Sequence, residues 1–160
     1  MQREEEVMGR KLTAVAALAA AAVTLSAVAA AGPVAPKQRV VIQWTAKGFV
    51  LTPQTAGALK SDTGTARFCC WSQRFSTRDG LKVEVTDPEM TLVGKRGTLV
   101  VRNRVEWLDV PAGYALFTGT WKVVSGTGDY AQLAGGGRVA GVTLPNGDRK
   151  WRREGFLGPR

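Results

Sequence analysis

Beyond the first thirty or so positions the chain keeps returning to one pattern. Short runs alternate apolar and polar residues, and each run is closed by Gly, Pro, Asn or Asp. Alternation of period two marks half-buried strands, because successive side chains point to opposite faces. The pattern predicts strands at Val40–Thr45, Phe49–Thr52, Thr65–Phe75, Leu81–Thr86, Met90–Val93, Thr98–Val110, Tyr114–Val124, Val139–Leu144 and Trp151–Leu157. Some of these are short enough to merge, and the expected total is about eight. Leu81, Val83 and Val85 share one face of their strand, against Lys82, Glu84 and Thr86. In the long strand Leu99, Val101, Asn103, Val105 and Trp107 share the apolar face. Val100, Arg102, Arg104 and Glu106 lie on the other, which reads as solvated. Asp79-Gly80 and Asn146-Gly147 supply hairpin turns. Gly119 sits inside a strand, where glycine marks a bend or bulge. The one helical candidate, Asp129–Leu133, is a single turn at most. Many short strands with regular turn signals predict an all-β domain, a sandwich or a barrel.

The start of the chain differs. Leu12–Ala31 is an alanine-rich apolar run behind Arg10 and Lys11, and its end fits a small-residue cleavage pattern at Ala29 or Ala31. Residues 1–31 therefore read as a secretory signal peptide. Glu4, Glu5 and Glu6 are foreign to its basic n-region, and translation from Met8 would remove them. No cysteine stands at the cleavage region for a lipid anchor, and Arg10 is followed by Lys11 rather than a second arginine. The alternative is an uncleaved N-terminal membrane anchor, since the run is long enough to span a bilayer. Residues 32–38 form a proline-bearing linker, and residues 39–160 one domain large enough for its own core. The expected location is extracellular.

There is no histidine in the chain. This removes Ser-His-Asp and Cys-His catalysis and the commonest zinc ligand. An enzyme is therefore not the favoured reading, and no cofactor, metal or catalytic residue is assigned. The formal net charge is +9. Arg3, Arg10 and Lys11 balance Glu4, Glu5 and Glu6, so the whole excess falls on the exported part. Such a domain meets anionic head groups or phosphate-bearing surface polymers; nucleic acid is not the expected partner. Arg149, Lys150, Arg152 and Arg153, around Trp151, are the densest basic stretch and the candidates for that contact. The competing reading is a solvated face with Trp151 in the core.

Ser125–Gly141 is glycine-rich but lacks the Lys-Ser/Thr and following helix of a phosphate loop. The expectation is a corner that caps one end of a barrel. Gly126 and Gly128 supply positive φ, Tyr130 plugs the turn, and Gly135, Gly136 and Gly137 reverse the chain. Phe117, Gly119, Trp121, Gly126-Thr127-Gly128-Asp129-Tyr130-Ala131 and Gly135-Gly136-Gly137 together resemble the allene oxide cyclase and dirigent type of eight-stranded β-barrel. The resemblance covers roughly residues 115–141. It implies a single closed antiparallel barrel, and among members of that group the chain looks most like the exported bacterial ones. It carries over no catalytic residue, because fold alone does not license chemistry.

Cys69 and Cys70 are adjacent on an expected strand, so their side chains should diverge. One buried and one partly covered thiol is the leading reading. A vicinal disulfide, an intermolecular bridge or a reactive thiol stand beside it. Five tryptophans, Trp44, Trp71, Trp107, Trp121 and Trp151, either fill the barrel or line a cavity at its mouth. Trp71, Gln73, Asn103, Glu106 and Trp107 are the candidates for holding a small apolar ligand. Binding such a ligand, or an anionic surface partner, is the expected function. A barrel isomerase or cyclase acting on a lipid-like substrate, and a purely structural or interaction protein, are the alternatives.

Overall fold

The computed structural model describes residues 36–160. The expected signal peptide, its cleavage sites, Met8 and most of the linker lie outside the described residues. Ten strands follow in order: β1 (Gln38–Thr45), β2 (Gly48–Pro53), β3 (Asp62–Cys69), β4 (Gln73–Arg78), β5 (Leu81–Thr86), β6 (Glu89–Gly94), β7 (Thr98–Val110), β8 (Tyr114–Gly126), β9 (Leu133–Thr143) and β10 (Arg149–Pro159). Among the described residues the only helical segments are two single 3-10 turns, Pro111–Gly113 and Gly128–Tyr130.

All neighbouring strands are antiparallel, in the order β4-β5-β7-β6-β3-β2-β1-β10-β9-β8, and β8 pairs back onto β7. That last pairing closes an eight-stranded barrel from β7, β6, β3, β2, β1, β10, β9 and β8. A closed sheet leaves no free edge along its wall. The hairpin β4–β5 is the outward continuation of the hairpin β3–β6. β6 pairs with the first part of β7, and β5 pairs with Val105–Trp107 on the same edge.

Two breaks separate these continuations. Asp87 and Pro88 interrupt the β5/β6 line, since proline cannot donate to the ladder. Cys70–Ser72 interrupt the β3/β4 line, so the expected single strand Thr65–Phe75 is in fact two. Cys70 has φ 53°, a left-handed conformation incompatible with a continuing strand. Cys69 and Cys70 are both exposed and bonded to each other as a vicinal disulfide, not held as buried thiols.

The core is the inner face of the alternation: Val40, Ile42, Phe49, Leu51, Met90, Leu92, Leu99, Val101, Val105, Val139 and Leu157 are all buried. Each contributes about 1.5–3 kcal/mol by leaving water. Val83 and Val85 follow the expected pattern, but Leu81 is exposed because β4–β5 runs beyond the barrel. The bulge lies at Val124 on β8, between the pairs Val100–Ser125 and Val101–Val123, not at Gly119.

The glycine-rich segment also differs from expectation. Gly126 ends β8 and Gly128 (φ 57°) opens the 3-10 turn, but Gly135–Gly137 lie inside β9. Gly137 faces Trp121 on one side and Gly155 on the other. A Cβ there would meet the Glu154 carbonyl and stand 2.6 Å from Gly155 Cα. The cluster is flat wall that lets two strands approach closely, not a reversal. The corner itself is Gly126–Tyr130. Tyr130 is buried, and its hydroxyl donates to Asp62 Oδ2.

Candidate functional site: the aromatic mouth and the polar layer beneath it

At the far end of β7 from that corner, inward-facing positions of five strands place aromatic rings together. They are Trp44 of β1, Phe68 of β3, Trp107 of β7, Phe117 of β8 and Trp151 of β10. Trp151 is the hub. Its centroid lies 4.2 Å from Phe117, 5.3 Å from Phe68, 5.7 Å from Trp107 and 6.2 Å from Trp44. The rings meet at tilted or edge angles, the arrangement their quadrupoles favour. Phe117 can lie over β9 because residue 141 is a glycine: a Cβ there would collide with the ring.

Above this layer is an open cleft of about 570 Å³. Phe68, Trp71, Trp107 and Trp151 give it apolar walls, and Gln73, Glu84, Thr86, Thr143 and Arg149 are its polar groups. Trp71 reaches the rim because the strand breaks at Cys70; its ring is 62% exposed. Thr86 Oγ1 accepts a hydrogen bond of 2.8 Å from Trp107 Nε1, which fixes that indole. Glu84 is the one carboxylate among the lining residues. The volume is that of a small-molecule site.

Beneath the rings lies a polar pair. Arg153 is fully buried, with its guanidinium carbon 5.1 Å from the Trp151 ring centre. Its Nε donates to Asn103 Oδ1 at 2.9 Å. Asn103 is itself 1% exposed and is tied to the break in the neighbouring strand. Its backbone N–H (2.9 Å) and its Nδ2 (3.3 Å) both donate to the Pro88 carbonyl. With Nδ2 so engaged, only Oδ1 can face the arginine. Proline at 88 therefore does more than separate β5 from β6. It turns a carbonyl toward β7 and sets the asparagine. Among the described residues Arg153 Nη1 and Nη2 have no hydrogen-bond partner, and neither does Trp151 Nε1. Burial pulls the Arg153 guanidinium down to about 9, which leaves it charged at neutral pH.

The sequence-predicted residues divide accordingly. Trp71, Gln73 and Trp107 line the cleft, and Asn103 lies below it. Glu106 does not join them. It faces outward and holds Arg78, with Oε2 2.9 Å from Nη1. The basic stretch is also dispersed. Arg149 stands at the mouth, while Lys150 and Arg152 are exposed on the outer wall. Arg153 is inside the barrel and unavailable to a surface partner. Arg152 Nε donates to Glu154 Oε1 at 2.7 Å, and with Arg39 it holds that carboxyl below its ordinary value. Gly126, Gly128, Tyr130, Gly135, Gly136 and Gly137 lie in the wall and corner described above, at the other end of the barrel. Glu84, Thr86 and the interior role of Arg153 went unread. The signal for Arg153 was the period-two pattern, which places it on the face of Trp151 and Leu157.

Among the described residues no group of three or more His, Cys, Asp or Glu side chains is placed to hold a metal ion, and no helix is long and apolar enough to cross a membrane. Comparison with protein-family models, curated proteins and solved structures finds no match to the chain.

Proposed function

We propose that the chain is an exported, non-enzymatic ligand-binding barrel that takes a small planar apolar molecule at its aromatic mouth. The observation behind this reading is the cleft itself: about 570 Å³, walled by Phe68, Trp71, Trp107 and Trp151, with a few polar groups at its margin. Flat rings gathered at the base of an open cleft favour a flat guest, through apolar burial and aromatic contact. Export rests on the N-terminal apolar run and its cleavage pattern. Membership of the allene oxide cyclase and dirigent type rests on residues 115–141. A cyclase reading would need an acid or base aimed into the cleft, and Glu84 is the one carboxylate that lines it.

The test is native mass spectrometry of the protein recovered from culture medium, searching for a co-purifying small molecule. It is followed by titration of that molecule into W107A and W71A. A guest whose affinity falls about tenfold or more in either variant supports the mouth as its site. Equal affinity in wild type and both variants rejects it.

A further inference from the structure

Every buried side-chain polar atom left without a partner among the described residues is a donor. All three, Trp151 Nε1 and Arg153 Nη1 and Nη2, belong to consecutive inward positions of β10. A buried guanidinium is costly unless its hydrogens and its charge are both met. Here Asn103 meets one hydrogen and the face of Trp151 part of the charge. Neutral acceptors could serve the hydrogens, but only an anion also serves the charge.

Two of the inward-facing indoles around this layer are held by hydrogen bonds. Trp107 is tied to Thr86 Oγ1, and Trp121 donates to the Glu154 carbonyl at 3.2 Å. Trp151 has no such tether. Its ring both lines the cleft and lies over the guanidinium, so displacement of this one side chain would bring the two together.

We infer that Arg153, Trp151 and Asn103 form an anion-accepting pole below the aromatic mouth, and that the guest is a planar aromatic carboxylate whose acid group enters this pole. The inference rests on the ligand-binding reading above and adds the guest's chemical class. Arg153 and Trp151 present the donors. Asn103 is a positioning residue: anchored on Pro88, it fixes the guanidinium through Nε and leaves both Nη atoms free. The ring of the guest lies against Phe68, Trp71 and Trp107 in the cleft, and the carboxylate supplies the missing acceptors and the countercharge. A small inorganic anion shares that chemistry and is distinguished in the test.

The experiment is calorimetric titration of the full chain with cinnamate and with cinnamamide, which have the same shape and differ in charge. Charge-assisted hydrogen bonds predict at least about tenfold tighter binding of the acid. In R153M the acid should fall to the amide's affinity, with the amide unchanged. R149M, at the rim, should keep the preference. N103D supplies the guanidinium with an internal countercharge and should erase the preference while keeping Arg153. Equal wild-type binding of acid and amide overturns the inference and leaves the mouth reading standing. Binding of neither probe removes both. A preference that survives R153M or vanishes in R149M assigns the charge reading to the rim and overturns the inference. Bromide that displaces cinnamate at constant ionic strength, without any acid-over-amide preference, makes the pole an inorganic-anion site and overturns the carboxylate. Should R153M fail to fold, R149M and N103D decide between the pole and the rim.

Discussion

Tyr130 donates its hydroxyl to Asp62 Oδ2 at 2.8 Å, joining the corner after β8 to the first residue of β3 across 68 positions of sequence. The same carboxylate accepts the backbone N–H groups of Thr63 (2.8 Å), Lys95 (3.0 Å) and Arg96 (3.2 Å). One buried side chain thus gathers the corner, the β6–β7 turn and the start of β3. Burial pushes the Asp62 pKa up, but these four donors outweigh it and hold it below the ordinary 3.8.

Tyr130→Phe removes the one side-chain donor and leaves Asp62 buried. The expected loss is about 1.5–3 kcal/mol in urea unfolding. The pH profile carries the same signature. Asp62 has a depressed folded pKa, so its contribution is present above the unfolded value near 3.8 and is lost as pH falls through the lower folded value. Tyr130 is raised above its ordinary 10.0, by burial first and by Asp62 second, so its contribution is lost as pH climbs past 10. The variant should show a shallower loss on both limbs; an unchanged profile would remove the linkage.

Arg153→Met should leave stability unchanged or raise it by about 1–4 kcal/mol, as replacement of buried charge by apolar volume often does. Asn103 Oδ1 then loses its donor, a cost of about 1–3 kcal/mol that limits the gain. The pH dependence is specific. Burial lowers the folded guanidinium to about 9, well below its value in the unfolded chain, so the wild type gains relative to R153M as pH rises through 9. The urea midpoint of the wild type should therefore rise relative to that of R153M between pH 7 and pH 10. A difference between the two proteins that stays constant with pH would show that the buried charge is already compensated.

Gly137→Ala tests the close approach of β9 to β10. The new methyl meets the Glu154 carbonyl and Gly155 backbone rather than a movable side chain. The cost expected from overpacking is about 1–3 kcal/mol, read as a lower melting temperature. A melting temperature equal to the wild type would mean that the wall yields freely here.

The Cys69–Cys70 disulfide spans adjacent residues, so it closes almost no loop and restricts the unfolded chain little. C69S/C70S should therefore melt within a few degrees of the wild type. The cleft should respond more, because Trp71 on its rim follows Cys70 directly. Intact mass after alkylation should show no addition without reductant and two additions with it.

The alternation in residues 98–107 is enough to sort inward from outward side chains, and the same period in residues 151–157 sets Arg153 on the face of Trp151. What it left open was what that face looks onto. A basic side chain on a strand reads as solvated, because on most sheets one face is. Glu106 was drawn to the site by its neighbour Trp107 in sequence, but it shares that residue's strand and not its face. The glycines at 135–137 misled in the opposite way. Glycine reads as a turn, and here the absent Cβ serves strand-to-strand contact.

Local chemistry alone therefore determined that this chain forms short antiparallel strands, which side chains share a face, and where Asp79-Gly80 and Asn146-Gly147 turn it. Those are consequences of side-chain period and backbone sterics, which act over a few residues. Closure of β8 onto β7, the break at Cys70–Ser72, and the burial of Arg153 against Asn103 were decided only by the tertiary structure. They depend on strands far apart in sequence meeting around one axis. Only that meeting turns one face of the sheet into an interior from which water is excluded.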